Sequence, residues 1–203
     1  MRHIYNRGSS STLPTFILFH GTGGRETDLL PVVQRLDVRN GILAVRGNVN
    51  ENGDHRFFKQ LADGTPDLDD LIGKTVEMRA FIDEKAHQYA FDKNNVIPVG
   101  YSNGANIAAS LLFHHGEAME GAILFHPIVP VKNAPLPDLN GMPIFMGIGA
   151  LDTLVLPGES MKLKNMLEEA GADVHVHITD LGHELVDSEI EAAADWYQNQ
   201  FLR

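Results

Sequence analysis

The chain has 203 residues, of which 43% are hydrophobic and 21% charged, values that suit an ordinary globular protein with a sizeable core. Its formal net charge of -11 argues against nucleic acid or an anionic membrane as a partner, because phosphate binding needs clustered lysine and arginine. Cysteine is absent, which excludes disulfides, cysteine nucleophiles and thiolate metal sites and fits a reducing, cytoplasmic location.

Strands and helices are predicted to alternate along the chain. Short apolar runs predict strands at residues 16–19, 41–45, 96–99, 121–125, 143–148 and 173–179. Apolar residues at helical spacing predict helices at residues 28–36, 67–89, 106–113, 163–170 and 190–201. Residues 46–66 and the proline-rich residues 129–142 are expected to be irregular, and residues 1–5 are expected to add an antiparallel edge hairpin. Together these elements predict one α/β domain over residues 1–203, with a mainly parallel sheet covered by helices on both faces.

A serine motif follows the predicted strand at residues 96–99. Residues 100–104 read Gly-Tyr-Ser-Asn-Gly, the G-x-S-x-G pattern that places a serine on a sharp turn between a strand and a helix. Gly100 and Gly104 have no side chains, so the helix can pack close to the strand. The pattern favours Ser102 as a nucleophile over an ordinary serine in a tight turn.

A nucleophilic serine needs a base, and the base needs an orienting carboxylate. Because catalytic groups in parallel sheets lie at the carboxyl ends of strands, we favour His183, which follows the last predicted strand. Asp152 follows the strand at residues 143–148 and is the favoured acid, with Asp180 as its rival. The resulting order, Ser102, Asp152, His183, is the order found in α/β-hydrolases. Other histidines lie within a strand or at the far end of a helix: His114, His115, His175 and His177.

Acyl transfer also needs N–H groups that stabilise an oxyanion, each contributing roughly 3 kcal/mol. One donor should be the N–H of Asn103, and the other should come from residues 20–24, His-Gly-Thr-Gly-Gly, with Thr22 as the donor. The same loop could cradle a phosphate, but no Gly-Lys-Ser/Thr follows, and the sixth position counted from Gly21 is Glu26 instead of glycine. The H-E-x-x-H zinc pattern is absent too, so we expect no metal and no cofactor.

These residues resemble the phospholipase/carboxylesterase branch of the α/β-hydrolases, which includes small bacterial esterases and acyl-protein thioesterases. The resemblance covers nearly the whole chain, and its segments are residues 19–24, 28–31, 100–106, 152 and 182–184. Further segments look like the bacterial hydrolases associated with resistance to hydroquinones and catechols: residues 46–49, 51–53, 56–58 and 126–127. The resemblance implies the α/β-hydrolase fold, and it implies the same triad and the same two oxyanion donors.

The pocket is expected to be fairly open, because no insertion is long enough for a cap domain. Residues 46–66 are its expected wall, with Phe57 as apolar surface and Arg56 as a polar handle, although Phe57 could equally belong to the core. His126 ends its strand on the catalytic side and is expected either to line the pocket or to be structural. Residues 151–157 depart from the relatives, which often carry a more polar residue before the acid.

The sequence therefore predicts a serine carboxylesterase that cleaves a small-molecule ester through an acyl-enzyme on Ser102. Two alternatives stay open, a thioesterase or lysophospholipase with the same machinery and a non-enzymatic binder of aromatic or quinone-type ligands. Many small relatives form homodimers, but the sequence offers no self-complementary patch to support one here. The acyl and alcohol preferences are not readable from the sequence.

Overall fold

The computed structural model describes residues 1–131 and 134–202. The strands are β1 (His3–Asn6), β2 (Thr15–Phe19), β3 (Ile42–Val45), β4 (Val49–Glu51), β5 (Asp54–Arg56), β6 (Val96–Tyr101), β7 (Ala122–Phe125), β8 (Pro143–Gly149) and β9 (Asp173–Thr179). The α-helices are α1 (Leu30–Leu36), α2 (Leu68–Tyr89), α3 (Asn103–His115), α4 (Pro157–Glu169) and α5 (Asp187–Phe201). Among the described residues, no helix is both long and apolar enough to span a lipid bilayer.

Seven strands form one sheet in the order β1-β3-β2-β6-β7-β8-β9. All neighbouring strands are parallel except β1, which runs antiparallel to β3 at one edge, so the expected mainly parallel sheet is confirmed. The expected antiparallel edge is a single strand paired with the distant β3, not a hairpin. The chain builds β3 on one side of β2 and then crosses to build β6 on the other side. At such a reversal the loops that follow the two central strands diverge, which opens a crevice at the carboxyl ends of β2 and β6.

Side chains of the strands alternate between two buried layers. In β2, Phe16 and Leu18 join the layer made with α1 and α5, whereas Ile17 and Phe19 join the layer made with α2, α3 and α4. Because β2 lies in the middle of the sheet, both of its faces are covered and all five of its residues are buried. The central strands therefore form a rigid base for the loops at their carboxyl ends.

Two segments differ from the prediction. Residues 46–66, expected to be irregular, contain the hairpin of β4 and β5, in which Val49 pairs with Arg56. Each strand of this hairpin has only three residues, too few to show an alternating pattern in sequence. The proline-rich residues 129–142 form no helix or strand where they are described, and residues 132 and 133 of this predicted loop lie outside the described residues.

The hydroxyl of Tyr197 fixes α5 to the amino-terminal end of the sheet. Tyr197 is fully buried and accepts a hydrogen bond of 2.6 Å from Nδ2 of Asn40, which also donates to the carbonyl of Pro14 at 2.7 Å. We expect Tyr197→Phe to lower the free energy of unfolding by about 1–3 kcal/mol, because one buried N–H of Asn40 loses its acceptor. Urea denaturation measures this loss.

Tyr89→Phe is the matched control, because its hydroxyl is only half-buried, at 2.9 Å from Nε2 of His3, where water can replace it. The control should lose less than Tyr197→Phe. Equal losses in the two variants would contradict the role given to the Tyr197 hydroxyl.

Candidate active site

Ser102 occupies a strained turn between β6 and α3. Its backbone angles are φ 54° and ψ -116°, a combination that residues other than glycine rarely adopt. A hydrogen bond of 2.9 Å from its N–H to the carbonyl of Phe125 helps to hold the turn. A Cβ atom on Gly100 would overlap the backbone of Gly104, and a Cβ atom on Gly104 would overlap the carbonyl of Phe19. The two glycines of the motif thus allow α3 to approach β6 and β2 closely.

The structure brings Ser102, His183 and Asp152 into one hydrogen-bonded chain. Nε2 of His183 lies 2.8 Å from Oγ of Ser102, and Nδ1 of His183 lies 2.6 Å from Oδ2 of Asp152. The His183 side chain is 18% exposed, while that of Asp152 is 1% exposed. Nδ1–H therefore donates to the carboxylate, and Nε2 is left to accept the proton of the serine hydroxyl. The rival acid Asp180 has no part in this chain of contacts.

Asp152 is held as a carboxylate. Burial opposes its ionisation, but hydrogen bonds from the N–H of Val155, from His183 and His126, and from the N–H of Leu154 outweigh burial and lower its pKa below the ordinary value. The N–H groups of Leu154 and Val155 both donate to Oδ1 at 2.8 Å, so Oδ2 is left for the histidines. An ionised, saturated carboxylate is the partner that orients an imidazole and stabilises its cation.

The N–H groups of Thr22 and Asn103 lie at the crevice between β2 and β6. Thr22 is exposed in the loop after β2, and Asn103 is the first residue of α3. Within the described part of the chain, neither N–H donates to a protein acceptor. A Cβ atom on Gly21 would lie 2.9 Å from the ring of Tyr101, so the loop rests directly against the serine turn.

The loop that carries Thr22 is supported from behind. The buried ring of His20 donates from Nδ1 to the carbonyl of Gly21 at 2.6 Å and accepts from the N–H of Gly47 at 3.0 Å. Burial lowers the pKa of His20, which keeps the ring neutral as this pattern of one donor and one acceptor requires. The N–H of Gly23 donates to the carbonyl of His55 in β5 at 2.9 Å. The hairpin of β4 and β5 is therefore a support for this loop.

Arg56 and Phe57, expected to line a pocket, are buried instead. Nη1 of Arg56 donates to Oγ1 of Thr22 at 2.9 Å, so Arg56 braces the loop after β2. The ring of Phe57 is 2% exposed and meets the ring of Phe19 edge-on in the core. Its N–H donates a hydrogen bond to Oδ1 of Asn103 at 2.8 Å, a contact that no sequence pattern predicts. The expectation that Arg56 and Phe57 offer open surface is corrected by their burial.

His126 is also buried, at 1% exposure, and it lies behind Asp152 instead of lining a pocket. Its Nδ1 is 3.0 Å from Oδ2 of Asp152, and its Nε2 is 3.3 Å from Oε2 of Glu189 in α5. Potential metal-ligating atoms of His126, Asp152 and His183 lie within 4.8 Å of one another. These atoms are already paired with each other by hydrogen bonds. The expectation that the site holds no metal stays a prediction. Sequence reasoning missed Glu189, which looks like an ordinary first-turn glutamate.

A groove of about 690 Å³ opens beside these loops. Its lining is Leu61, Asp63, Gly64, Thr65, Pro66, Asp67, Leu68, Asp69, Ile128, Val129, Pro130, Leu154, Val155, Leu156 and Glu159. One wall, at Leu154 and Val155, is the segment whose N–H groups bind Asp152. Another wall begins at Ile128, whose N–H donates to Oδ1 of Asn106 in α3 at 2.9 Å. The groove therefore shares one wall with the segment that binds Asp152, and another wall is tied to α3, the helix that begins directly after Ser102.

A model of the dienelactone hydrolase family matches residues 7–198. The chain belongs to the dienelactone hydrolase family. It is 48% identical over 202 residues to MhqD of Bacillus subtilis (strain 168), named as a hydrolase, with 100% of each chain covered. The crystal structure of a Bacillus cereus carboxylesterase is 47% identical with a TM-score of 0.97, covering 99% of this chain and 95% of that one. The structure of YahD with malic acid is 28% identical with a TM-score of 0.93 and covers 98% of both chains.

Membership of the dienelactone hydrolase family and these structural matches confirm the α/β-hydrolase fold and the resemblance to small bacterial esterases. The expected absence of a large cap agrees with the short connections of the fold. The chain is a hydrolase.

Tyr101 holds the loop that carries His183. Its hydroxyl donates to the carbonyl of His183 at 2.6 Å, and burial, followed by the charges of Asp152, Glu189 and Glu184, raises the pKa of Tyr101 to about 12. The hydroxyl therefore stays protonated and donates throughout the neutral and mildly alkaline range.

We expect Tyr101→Phe to slow the reaction of Ser102 with a fluorophosphonate by about tenfold, because His183 loses one hydrogen bond that sets its distance to Oγ. The second-order inactivation rate measures the effect. Tyr197→Phe is the control, since its hydroxyl lies at the other end of the sheet, and it should react at the wild-type rate. A wild-type rate in Tyr101→Phe would contradict this positioning role.

Proposed function

We propose that this hydrolase is a serine carboxylesterase that works through an acyl-enzyme on Ser102. The observation that carries the proposal is the 2.8 Å contact between Nε2 of His183 and Oγ of Ser102, with Asp152 on the other ring nitrogen at 2.6 Å. This is the geometry that lets an imidazole accept a proton from a serine hydroxyl. The carboxylesterase named among the matching structures supports the same class of substrate.

Acylation begins when Nε2 of His183 takes the proton of the Ser102 hydroxyl and Oγ attacks the ester carbonyl carbon. In this proposal the carbonyl oxygen becomes an oxyanion, and the N–H groups of Thr22 and Asn103 donate to it. Asp152 stabilises the imidazolium that forms. The carbon–oxygen bond to the alcohol then breaks, and His183 gives its proton to the departing alkoxide.

Deacylation repeats these steps with water. His183 removes a proton from a water molecule, and the hydroxide attacks the acyl carbon. The second oxyanion collapses, the bond to Oγ breaks, and the proton on His183 returns to the Ser102 oxygen. The products are the carboxylic acid and the free enzyme, and every proton that His183 takes is returned without a metal or a cofactor.

The lining of the groove favours one class of substrate. Its walls carry large exposed apolar side chains, with Leu61 52% exposed, Leu154 77% and Leu156 61%, and such surface suits an apolar acyl or alcohol group. Its rim carries four acidic side chains, while its described lining holds no basic one. Glu159 is paired with Lys162, and Asp69 is exposed without such a pair in the described contacts. We infer that the substrate is an uncharged, apolar ester.

Covalent labelling tests the nucleophile. We expect intact-mass spectrometry after fluorophosphonate treatment to show one adduct on the wild type and none on Ser102→Ala. The same variant should lose ester turnover by about 10⁴-fold or more, because the attacking oxygen is removed while the fold is kept. Ser110→Ala, at a buried serine of α3 far along the helix, is the control and should still be labelled. An adduct on Ser102→Ala, or none on the wild type, would overturn the proposal.

A substrate pair tests the charge of the groove. The two substrates are p-nitrophenyl esters whose acyl chains have equal length, one ending in a methyl ester and the other in a carboxylate. At low salt we expect kcat/KM to be about tenfold higher for the neutral ester than for the charged one. Added salt should reduce this preference, because exposed charges are screened. A thioester of the same neutral acyl group, measured alongside, distinguishes an esterase from a thioesterase.

Asp69→Asn should narrow the preference for the neutral ester, because it removes one rim charge from the groove. Asp195→Asn, at an exposed position of α5 on the other face of the sheet, is the matched control and should leave the preference as it is. Equal preference for the two esters in the wild type would show that the rim does not select for charge.

A further inference from the structure

A second buried acid–base pair lies behind Asp152, and the reaction steps above do not use it. His126 follows β7 with a positive φ of 53°, and Glu189 lies in the first turn of α5. The side chains are 1% and 0% exposed. Nδ1 of His126 is 3.0 Å from Oδ2 of Asp152, and Nε2 is 3.2 Å and 3.3 Å from the two carboxylate oxygens of Glu189. One imidazole ring therefore connects two buried carboxyl groups.

The backbone around this pair accommodates it. A Cβ atom on Gly147, in the middle of β8, would lie 2.9 Å from Oε1 of Glu189, so a glycine there leaves room for the carboxyl group. The N–H of Val186 donates to Oε2 of Glu189 at 3.2 Å, and the N–H of His126 donates to the carbonyl of Gly147 at 2.8 Å. Contacts from β7, β8 and α5 thus fix the pair on three sides.

The two flanking carboxyl groups favour one protonation state of His126. A neutral imidazole has one N–H donor and one acceptor nitrogen, so it can donate to only one of two flanking carboxylates. The other nitrogen would then direct a lone pair at a carboxylate oxygen, inside a site that excludes water. Only the imidazolium donates to both Asp152 and Glu189. Its positive charge also balances Glu189, which has no other cationic partner among its described contacts.

We propose that His126 is a positioning residue, an imidazolium that is bridged to Glu189 and fixes Oδ2 of Asp152 in the orientation that holds His183. This proposal rests on the proposed function, because the positioned base is the one that activates Ser102. Asp152, His126 and Glu189 together carry one net negative charge, the same as Asp152 alone. The pair therefore holds the acid in place without removing the negative charge that His183 needs when it becomes a cation.

The surroundings of His126 allow its titration to be assigned. Burial lowers its pKa, but the hydrogen bond and charge of Glu189 and then those of Asp152 outweigh burial, so the pKa lies above the ordinary 6.5. The rings of His183 and Tyr101 also face it, at centroid distances of 5.1 Å and 5.7 Å. Tyr101, with a pKa of about 12, does not titrate in the same range. Proton loss by His126 should therefore occur above pH 6.5.

The direct test is the protonation state of the ring, read by NMR on the full chain carrying ¹⁵N-labelled histidine. We expect both ring nitrogens of His126 to be protonated at neutral pH in the wild type. In Glu189→Gln the side-chain amide can donate to Nε2, so this nitrogen should be unprotonated and the pKa lower. Glu191→Gln, two residues along α5 on its exposed side, is the matched control and should match the wild type. An unprotonated ring nitrogen in the wild type at neutral pH would overturn the proposal.

The kinetic test is the alkaline side of the pH profile. We expect wild-type kcat to fall by about tenfold as His126 loses its proton, with KM within about twofold because His126 does not touch substrate. Glu189→Gln should have a kcat about threefold below the wild type at neutral pH and should lack this alkaline decrease. An alkaline decrease of the same size and midpoint in Glu189→Gln would show that the pair is structural only.

Removal of the histidine completes the test. In His126→Asn the new residue tolerates a positive φ, and its amide can still donate a hydrogen bond to Asp152. Glu189, however, is left buried without a cationic partner. In His126→Asn we expect kcat to fall by about tenfold and the resistance to urea denaturation to drop. The double variant His126→Asn, Glu189→Gln should regain that resistance. Wild-type kcat in both variants would overturn the proposal. The NMR result does not depend on turnover, so it separates failure of this inference from failure of the esterase proposal.

Discussion

The close approach of α3 to the central strands is the constraint on which the site depends. Ser102 can hold φ 54° and ψ -116° only because its turn is fixed on both sides, by the hydrogen bond to Phe125 and by the contact of Gly104 with the end of β2. That contact also sets where the loop after β2 begins. The position of the serine and the position of the Thr22 N–H are therefore consequences of one packing distance between a helix and two strands.

Around this turn, each loop of the site is held by a buried polar side chain. Asn103 ties the segment at Phe57, and Asn106 ties the segment at Ile128, both through side-chain oxygens on α3. On the other side of the serine, the hydroxyl of Tyr101 holds the loop of His183. Such contacts are directional, and each leaves a buried group unpaired if it breaks, so they fix loop positions that apolar packing alone would leave adjustable.

The sequence predicted the parts of the site that have a local pattern. Ser102 stands in a motif, and Asp152 and His183 follow predictable strands, so spacing and strand order brought forward three side chains that lie in contact in the structure. Glu189, Arg56 and the groove could not be found in this way, because they depend on contacts between distant segments. Arg56 looked like a surface residue because β4 and β5 are too short to show alternation. Leu154 and Leu156 line the groove and lie in residues 151–157, the segment that departs from the relatives.

The absence of a side chain at Gly147 has a consequence for sequence variation within the family. The carboxyl group of Glu189 fills the space beside β8, and it is paired with the ring of His126. A larger residue at position 147 displaces the acid, and loss of either member leaves the other buried without its partner. Among homologues, a residue larger than glycine at position 147 should therefore occur together with a shorter side chain at position 189.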